Sequence, residues 1–321
     1  MVRRSVREAH SGCVPPIDAP VAEPLVEDVY RPRLPLDLRL TLSALRRGGG
    51  DPAWFWAPDG AVWQATSTPD GPATRRLHAV RGEVRVTAWG PGAERAVAGV
   101  PALLGAADDP TGFDPALHRV VRDAARRLPG LRVPRSGHVF EALVPAVLEQ
   151  RVVGLDAKDS WRRLVRRHGT PAPGPTPVPL RVPPDASVWA ALPDWEWRSA
   201  GVEGARSGAV RRAAQVAHAL RADLPLAEAR RRLSTVRGIG PWTVAEVASR
   251  ALGDADAVSV GDFHLAHLVG WALTGVRTDD AGMLELLEPW RGHRGRVVRL
   301  LELTQRPPRF GPRAPRARPL V

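Results

Sequence analysis

The sequence predicts an α+β protein: a small N-terminal antiparallel sheet with helices, followed by a large all-α domain. Two observations carry that expectation. Short runs between residues 36 and 89 are separated by turn signals, the mark of strands and hairpins. From Phe113 onward, apolar residues recur instead at helical spacing, with arginines between them. At 321 residues with 44% apolar composition, the chain has enough apolar surface for a core.

Residues 1–33 are rich in Pro, Val and charge without periodicity, which reads as a loosely held N-terminal arm. Leu36, Leu38, Leu40 and Leu42 alternate with other residues, as in a strand. Residues 53–57 and 61–66 flank Pro58-Asp59-Gly60, and residues 75–80 and 83–89 flank Arg81-Gly82, giving two hairpin signals. Residues 93–104 read as a helix and close an α+β unit over 34–110.

The helical domain spans 111–305. Its first helices are expected over 114–128, 136–153 (with Ser136 as a candidate N-cap) and 156–168, each with one apolar stripe. The Pro-rich stretch 170–184 reads as a semi-rigid connection within this domain. Further helices are expected over 186–192, 195–200, 205–220, 226–236, 279–287 and 290–303. Trp189, Trp195, Trp197 and Trp290 read as packing residues. The tail 306–321 is too rich in Pro and Arg to pack.

The stretch with chemical content is 233–271. Gly238-Ile239-Gly240 makes a tight turn between two helices, and Pro241 suits the first helical position. Glycine permits the left-handed backbone such a turn needs. N–H groups gathered at a helix start attract an anion, most often phosphate. A C-cap glycine followed by an ordinary helix has the same appearance. Asp262 follows 22 residues after Gly240 and precedes the helix marked by Leu265, Leu268, Val269 and Ala272. Aspartate there is an N-cap, and the helix dipole at that place favours a negative charge. The two roles are compatible.

LSTVRGIGPWTV followed by VGDFHL resembles the helix-hairpin-helix DNA glycosylase superfamily. The branch it looks most similar to is DNA-3-methyladenine glycosylase II, and the resemblance covers roughly residues 36–304. It implies Asp262 as the catalytic carboxylate and Trp242 and Phe263 as an aromatic wall for the flipped base. Glu246 would line the same pocket, or pair only with Arg250. It implies DNA contacts from Gly238, Ile239, Gly240 and Thr243, and from Gln150 facing the lesion with Arg151 wedged into the gap. Gln150 and Arg151 read equally as solvated residues at a helix end. The backbone carbonyls of Ser234, Val236 and Ile239 would hold a Na⁺ or K⁺ ion. Three positions depart from the branch: Arg151 replaces a leucine, Glu246 a tyrosine and Arg299 a tryptophan.

The implied reaction is hydrolysis of the N-glycosidic bond of an alkylated purine. Bifunctional relatives carry a lysine where this chain has Trp242, so no strand nicking is expected; the sole lysine is Lys158. Cys13 is the sole cysteine, which argues against a zinc cluster and the four-cysteine iron–sulfur cluster of another branch. The net charge of +12 suits a polyanionic partner such as duplex DNA. No leader or membrane-spanning run is apparent, so a cytoplasmic monomer without an obligate protein partner is expected. Two other readings stay open: a glycosylase for another damaged base such as oxidised guanine, and a non-catalytic DNA-binding protein.

Overall fold

A computed structural model describes residues 26–308. The N-terminal part holds β1 (Val26–Tyr30), α1 (Leu38–Leu42), β2 (Trp54–Trp56), β3 (Val62–Thr68), β4 (Gly71–Val80) and β5 (Glu83–Trp89). The strands form one antiparallel sheet in the order β1-β5-β4-β3-β2. The hairpin read at Arg81-Gly82 is present: both residues have positive φ, 51° and 84°, as a two-residue hairpin turn requires. The short helices α2 (Ala93–Ala98) and α3 (Val100–Leu103) bury Ala93, Val97, Val100 and Leu103 in the sheet's core.

Two expectations are corrected here. Residues 36–42 are not a strand. Asp37 accepts the N–H of Leu40 at 2.9 Å and starts α1, whose Leu38 and Leu42, four apart, are the buried pair. A capping carboxylate overrides the alternation of leucines. Part of the 1–33 arm is a strand: β1 pairs with β5 from Val26↔Ala88 to Tyr30↔Val84. As an edge strand with an exposed Glu-Asp-Val centre, it carries no apolar alternation. Cys13 and the tail beyond 308 lie outside the described residues.

The helical part runs α4 (Arg119–Arg127), α5 (Val139–Leu148), α6 (Gly154–His168), β6 (Thr170–Pro171), β7 (Arg181–Val182), α7 (Ala186–Ala191), α8 (Asp194–Ser199), α9 (Gly204–Gln215), α10 (Leu226–Thr235), α11 (Pro241–Val247), α12 (Leu265–Thr274), α13 (Asp280–Leu287) and α14 (Arg294–Thr304). Helix α11 runs on into one π turn, Ala248–Leu252. The Pro-rich connection packs on the sheet side, where Leu180 and Val182 join the stacked rings of Trp63 and Trp89. Trp189, Trp197 and Trp290 are buried as read, whereas Trp195 is 53% exposed beneath Arg167.

Two apolar clusters divide the helices. One gathers α5, α6, α7, α9, α10 and α11; the other gathers α4, α12, α13 and α14. The hairpin and π turn belong to the first and Asp262 leads into the second, so their seam is where the site lies. Among the described residues no helix is long and apolar enough to cross a membrane.

Candidate active site

The hairpin is built from two unlike glycines. Gly238 has φ +97°, and a Cβ there would stand 2.9 Å from the Cβ of Ala209 on α9. Both the backbone and the close approach demand glycine. Gly240 is extended (φ −93°, ψ 179°), and a Cβ there would meet nothing within 4 Å. Its side faces open space. Pro241 opens α11 as read, and the N–H groups of the first helical turn have no intrahelical partner.

Gln150 braces this turn from the end of α5. Its Nε2 donates to the Gly238 carbonyl at 3.0 Å and to Thr243 Oγ1 at 2.8 Å. The side chains of Ile239 and Thr243 are buried, so neither presents itself outward as a DNA contact. The exposed residues of the turn are Arg237, Gly238, Gly240 and Pro241. Arg151, next to Gln150, is exposed and held at φ 53°, a costly backbone state for a residue with a Cβ. Strain of this kind gathers at functional turns.

Of the carbonyls implied for a cation, that of Val236 accepts the N–H of Ile239 at 3.0 Å, which leaves it a second lone pair. Among the described residues no group of three or more His, Cys, Asp or Glu is placed to hold a metal. A cation at this turn would therefore rest on carbonyl oxygens.

Asp262 does two things at once. Its Oδ1 accepts the N–H groups of His264 (2.8 Å) and Leu265 (3.0 Å), capping the entry to α12. Its Oδ2 accepts from Trp242 Nε1 at 3.2 Å, and the residue lines a cavity of about 100 Å³ on the seam. Three donors fix the carboxylate on the cavity wall. Trp242 is thus a clamp on Asp262; it is not among the cavity-lining residues.

Phe263 does not form the aromatic wall. It is 79% exposed, lies edge-on to His264, and does not line the cavity, because capping turns Asp262 inward and its chain neighbour outward. Among the described residues the cavity lining has no aromatic ring. Charge takes that place. Glu246 accepts from Ser259 Oγ at 2.6 Å and pairs with Arg250 at 2.8 Å, so the pairing with Arg250 is present and the carboxylate also lines the cavity. Arg250 also donates to the Ala44 carbonyl at 2.9 Å. Burial would lower its pKa, but Glu246, Glu149 and Glu302 outweigh that and raise it. Arg299 faces the same space from α14, pinned by Glu302 (3.0 Å) and Ser43 Oγ (2.5 Å). Thr41, Arg132 and Ser259 also line it. Sequence reasoning missed these three; Ser259 was within reach through its closeness to Asp262, but nothing marks Thr41 or Arg132.

No family model matches the chain. In sequence it is similar to a probable bifunctional transcriptional activator/DNA repair enzyme AlkA of Mycobacterium tuberculosis, with 32% identity over 161 residues, 48% of this chain and 30% of that protein. In structure it is similar to the 3-methyladenine DNA glycosylase of Archaeoglobus fulgidus, with TM-score 0.73 and 15% identity over 86% of this chain and 97% of that one. The chain has the fold of the helix-hairpin-helix DNA glycosylases. It is also similar to the Clostridium acetobutylicum 8-oxoguanine glycosylase/lyase bound to double-stranded DNA with cytosine opposite 8-oxoG (TM-score 0.64, 11% identity, 88% of this chain and 97% of that one). The resemblance read from the hairpin and Asp262 agrees with the fold of these structures, and its alkylation-repair branch with the AlkA likeness over 48% of this chain. The chain spans about a third of the length of the curated relatives it matches.

Proposed function

We propose that the protein is a monofunctional DNA glycosylase of base-excision repair that flips out alkylated purines, of the 3-methyladenine and 7-methylguanine type, and hydrolyses their N-glycosidic bond. The observation that carries this reading is Asp262, held by three donors on the wall of the seam cavity. A cap alone has no need of a second clamp from Trp242. The hairpin N–H groups take a phosphate of the duplex, and Arg151 fills the gap left by the flipped nucleotide with its planar guanidinium. As the base leaves, positive charge develops on the sugar; the Asp262 carboxylate stabilises it and orients the water that attacks the anomeric carbon.

Among the described residues no lysine lines the cavity. Trp242 occupies the position of the lysine in bifunctional relatives, and the stem of Lys158, the sole lysine, lies against Gly48 away from the cavity. On this reading the protein acts as a cytoplasmic monomer with no cofactor beyond a Na⁺ or K⁺ ion held by the carbonyls of Ser234, Val236 and Ile239. A second reading, removal of oxidised guanine, is favoured by the cavity's charged, ring-free lining.

The test is base release from methylated duplex DNA by wild type and Asp262→Asn. Asparagine caps a helix as well as aspartate, so folding is spared. Wild type is expected to leave uncut abasic sites, and the variant to lose at least ~100-fold in rate. Release that survives the substitution, or DNA binding without any release, ends the proposal.

A further inference from the structure

We infer that Arg299 and Glu246 make the cavity select purines with an oxo group at C6 over purines with an amino group there. This deepens the glycosylase reading above and rests on it. The two side chains come from different helices, line one cavity and are each held in place. Arg299 is tied to Glu302 and Ser43, and its Nε is buried without a partner. Glu246 is tied to Arg250 and Ser259. Groups fixed before binding lose little freedom when a ligand arrives.

Their chemistry is one-sided. A guanidinium only donates hydrogen bonds and a carboxylate only accepts them. A 6-oxopurine carries an acceptor at O6 beside a donor at N1–H, the complement of that pair. Arginine to O6 is also the commonest arginine contact to guanine. A 6-aminopurine turns a donor toward Arg299 and a bare ring nitrogen toward Glu246, setting donor against donor and acceptor against acceptor. Unpaired polar groups cost more than a missing attraction. A methyl at N3 or N7 leaves the O6 and N1 positions free. Among the described residues no ring face lines the cavity, so a cationic methylpurine gains no cation–π attraction from that lining. Hydrogen bonding at C6 is what remains to discriminate.

The matched substrates are duplexes carrying 3-methylguanine or 3-methyladenine, each enzymatic rate divided by the spontaneous release rate of the same base. Wild type is expected to favour 3-methylguanine at least ~10-fold, the worth of one good base contact. Arg299→Met and Glu246→Gln are each expected to bring that ratio towards one. Both rates come from one preparation, so partial unfolding cancels in the ratio, and the wild-type ratio needs no variant to fold. Equal rates, or faster release of 3-methyladenine, with release still dependent on Asp262, overturn the inference and leave the glycosylase reading standing. A ratio that both variants preserve removes the assignment to these residues. No release of either base by wild type overturns the glycosylase reading itself.

Discussion

Two clusters of buried charge sit side by side in this protein, and only one has the makings of a site. The first joins the sheet to α5. Arg75 donates to Gln64 (2.9 and 2.6 Å) and to the Ala96 carbonyl, Thr66 donates to Glu141 at 3.1 Å, and Trp161 donates to Asp51. Burial pushes the Glu141 carboxyl up to about 7, and burial with the charge of Arg75 pushes His138 down to about 4. The second cluster is the cavity of Glu246, Arg250, Arg299 and Asp262. Arg250 stands on the wall of both. The first has about 30 Å³ of room and the second about 100 Å³. The larger pKa displacements are therefore in the cluster with less room. Perturbed titration marks burial here, and the roomier cavity is the one with a fixed carboxylate on its wall.

The shared arginine gives a large expected effect. Arg250→Met leaves the half-buried Glu246 carboxylate beside Ser259 without its ion-pair partner, and losing a hydrogen bond between charged groups costs about 1.5–3 kcal/mol. Urea unfolding measures it. Adding Glu246→Leu should recover most of the loss; a double variant as weak as the single one would show that Arg250 acts through the Ala44 carbonyl instead.

The Glu141 cluster is expected to answer to pH and not to substrate. Glu141, raised from 4.5 to about 7, gives stability that is present below pH 4.5 and lost as pH rises through 7. His138, lowered from 6.5 to about 4, gives stability present above pH 6.5 and lost as pH falls through 4. The two slopes oppose each other over the same window. Glu141→Gln leaves the histidine slope alone, so relative to wild type the variant should lose about 3 kcal/mol more on going from pH 6.5 to 4. Base release at pH 7 should change less than ~2-fold, since no cavity-lining residue is altered. An unchanged pH profile of stability would place the protons elsewhere.

What was legible in the sequence follows the range of the forces involved. The Arg81-Gly82 hairpin, the Gly238 turn and Asp262 are set by local backbone chemistry, and all three stand where they were read. Leu36–Leu42 misled because one hydrogen bond from the Leu40 N–H to Asp37 outweighs an alternating pattern over a few residues. The edge strand β1 was hidden because its partner, β5, lies more than fifty residues away. Phe263 misled for a geometric reason: adjacent residues at a cap point opposite ways, so placing Asp262 in the cavity excludes its neighbour. The cavity's character was half legible. Glu246 and Arg299 were visible as departures, but Thr41 and Arg132 reach the wall only through tertiary packing.

A contrast of filled and open space appears at single-residue scale in the hairpin, where the expected effects are smallest. Gly238→Ala forces a Cβ into a left-handed backbone and against Ala209, and should cost about 1–3 kcal/mol of stability. Gly240→Ala meets no atom within 4 Å and an ordinary φ, so its stability should stay within about 0.5 kcal/mol of wild type. On the proposed DNA-binding role the order reverses for affinity. A methyl at 240 stands where the phosphate must approach, and losing a hydrogen bond to a charged group weakens binding roughly tenfold. Thermal melts and duplex-DNA titrations at fixed salt on the two variants separate these effects. Equal affinities for wild type and Gly240→Ala would mean that the open side of the turn is not where the backbone of DNA lies.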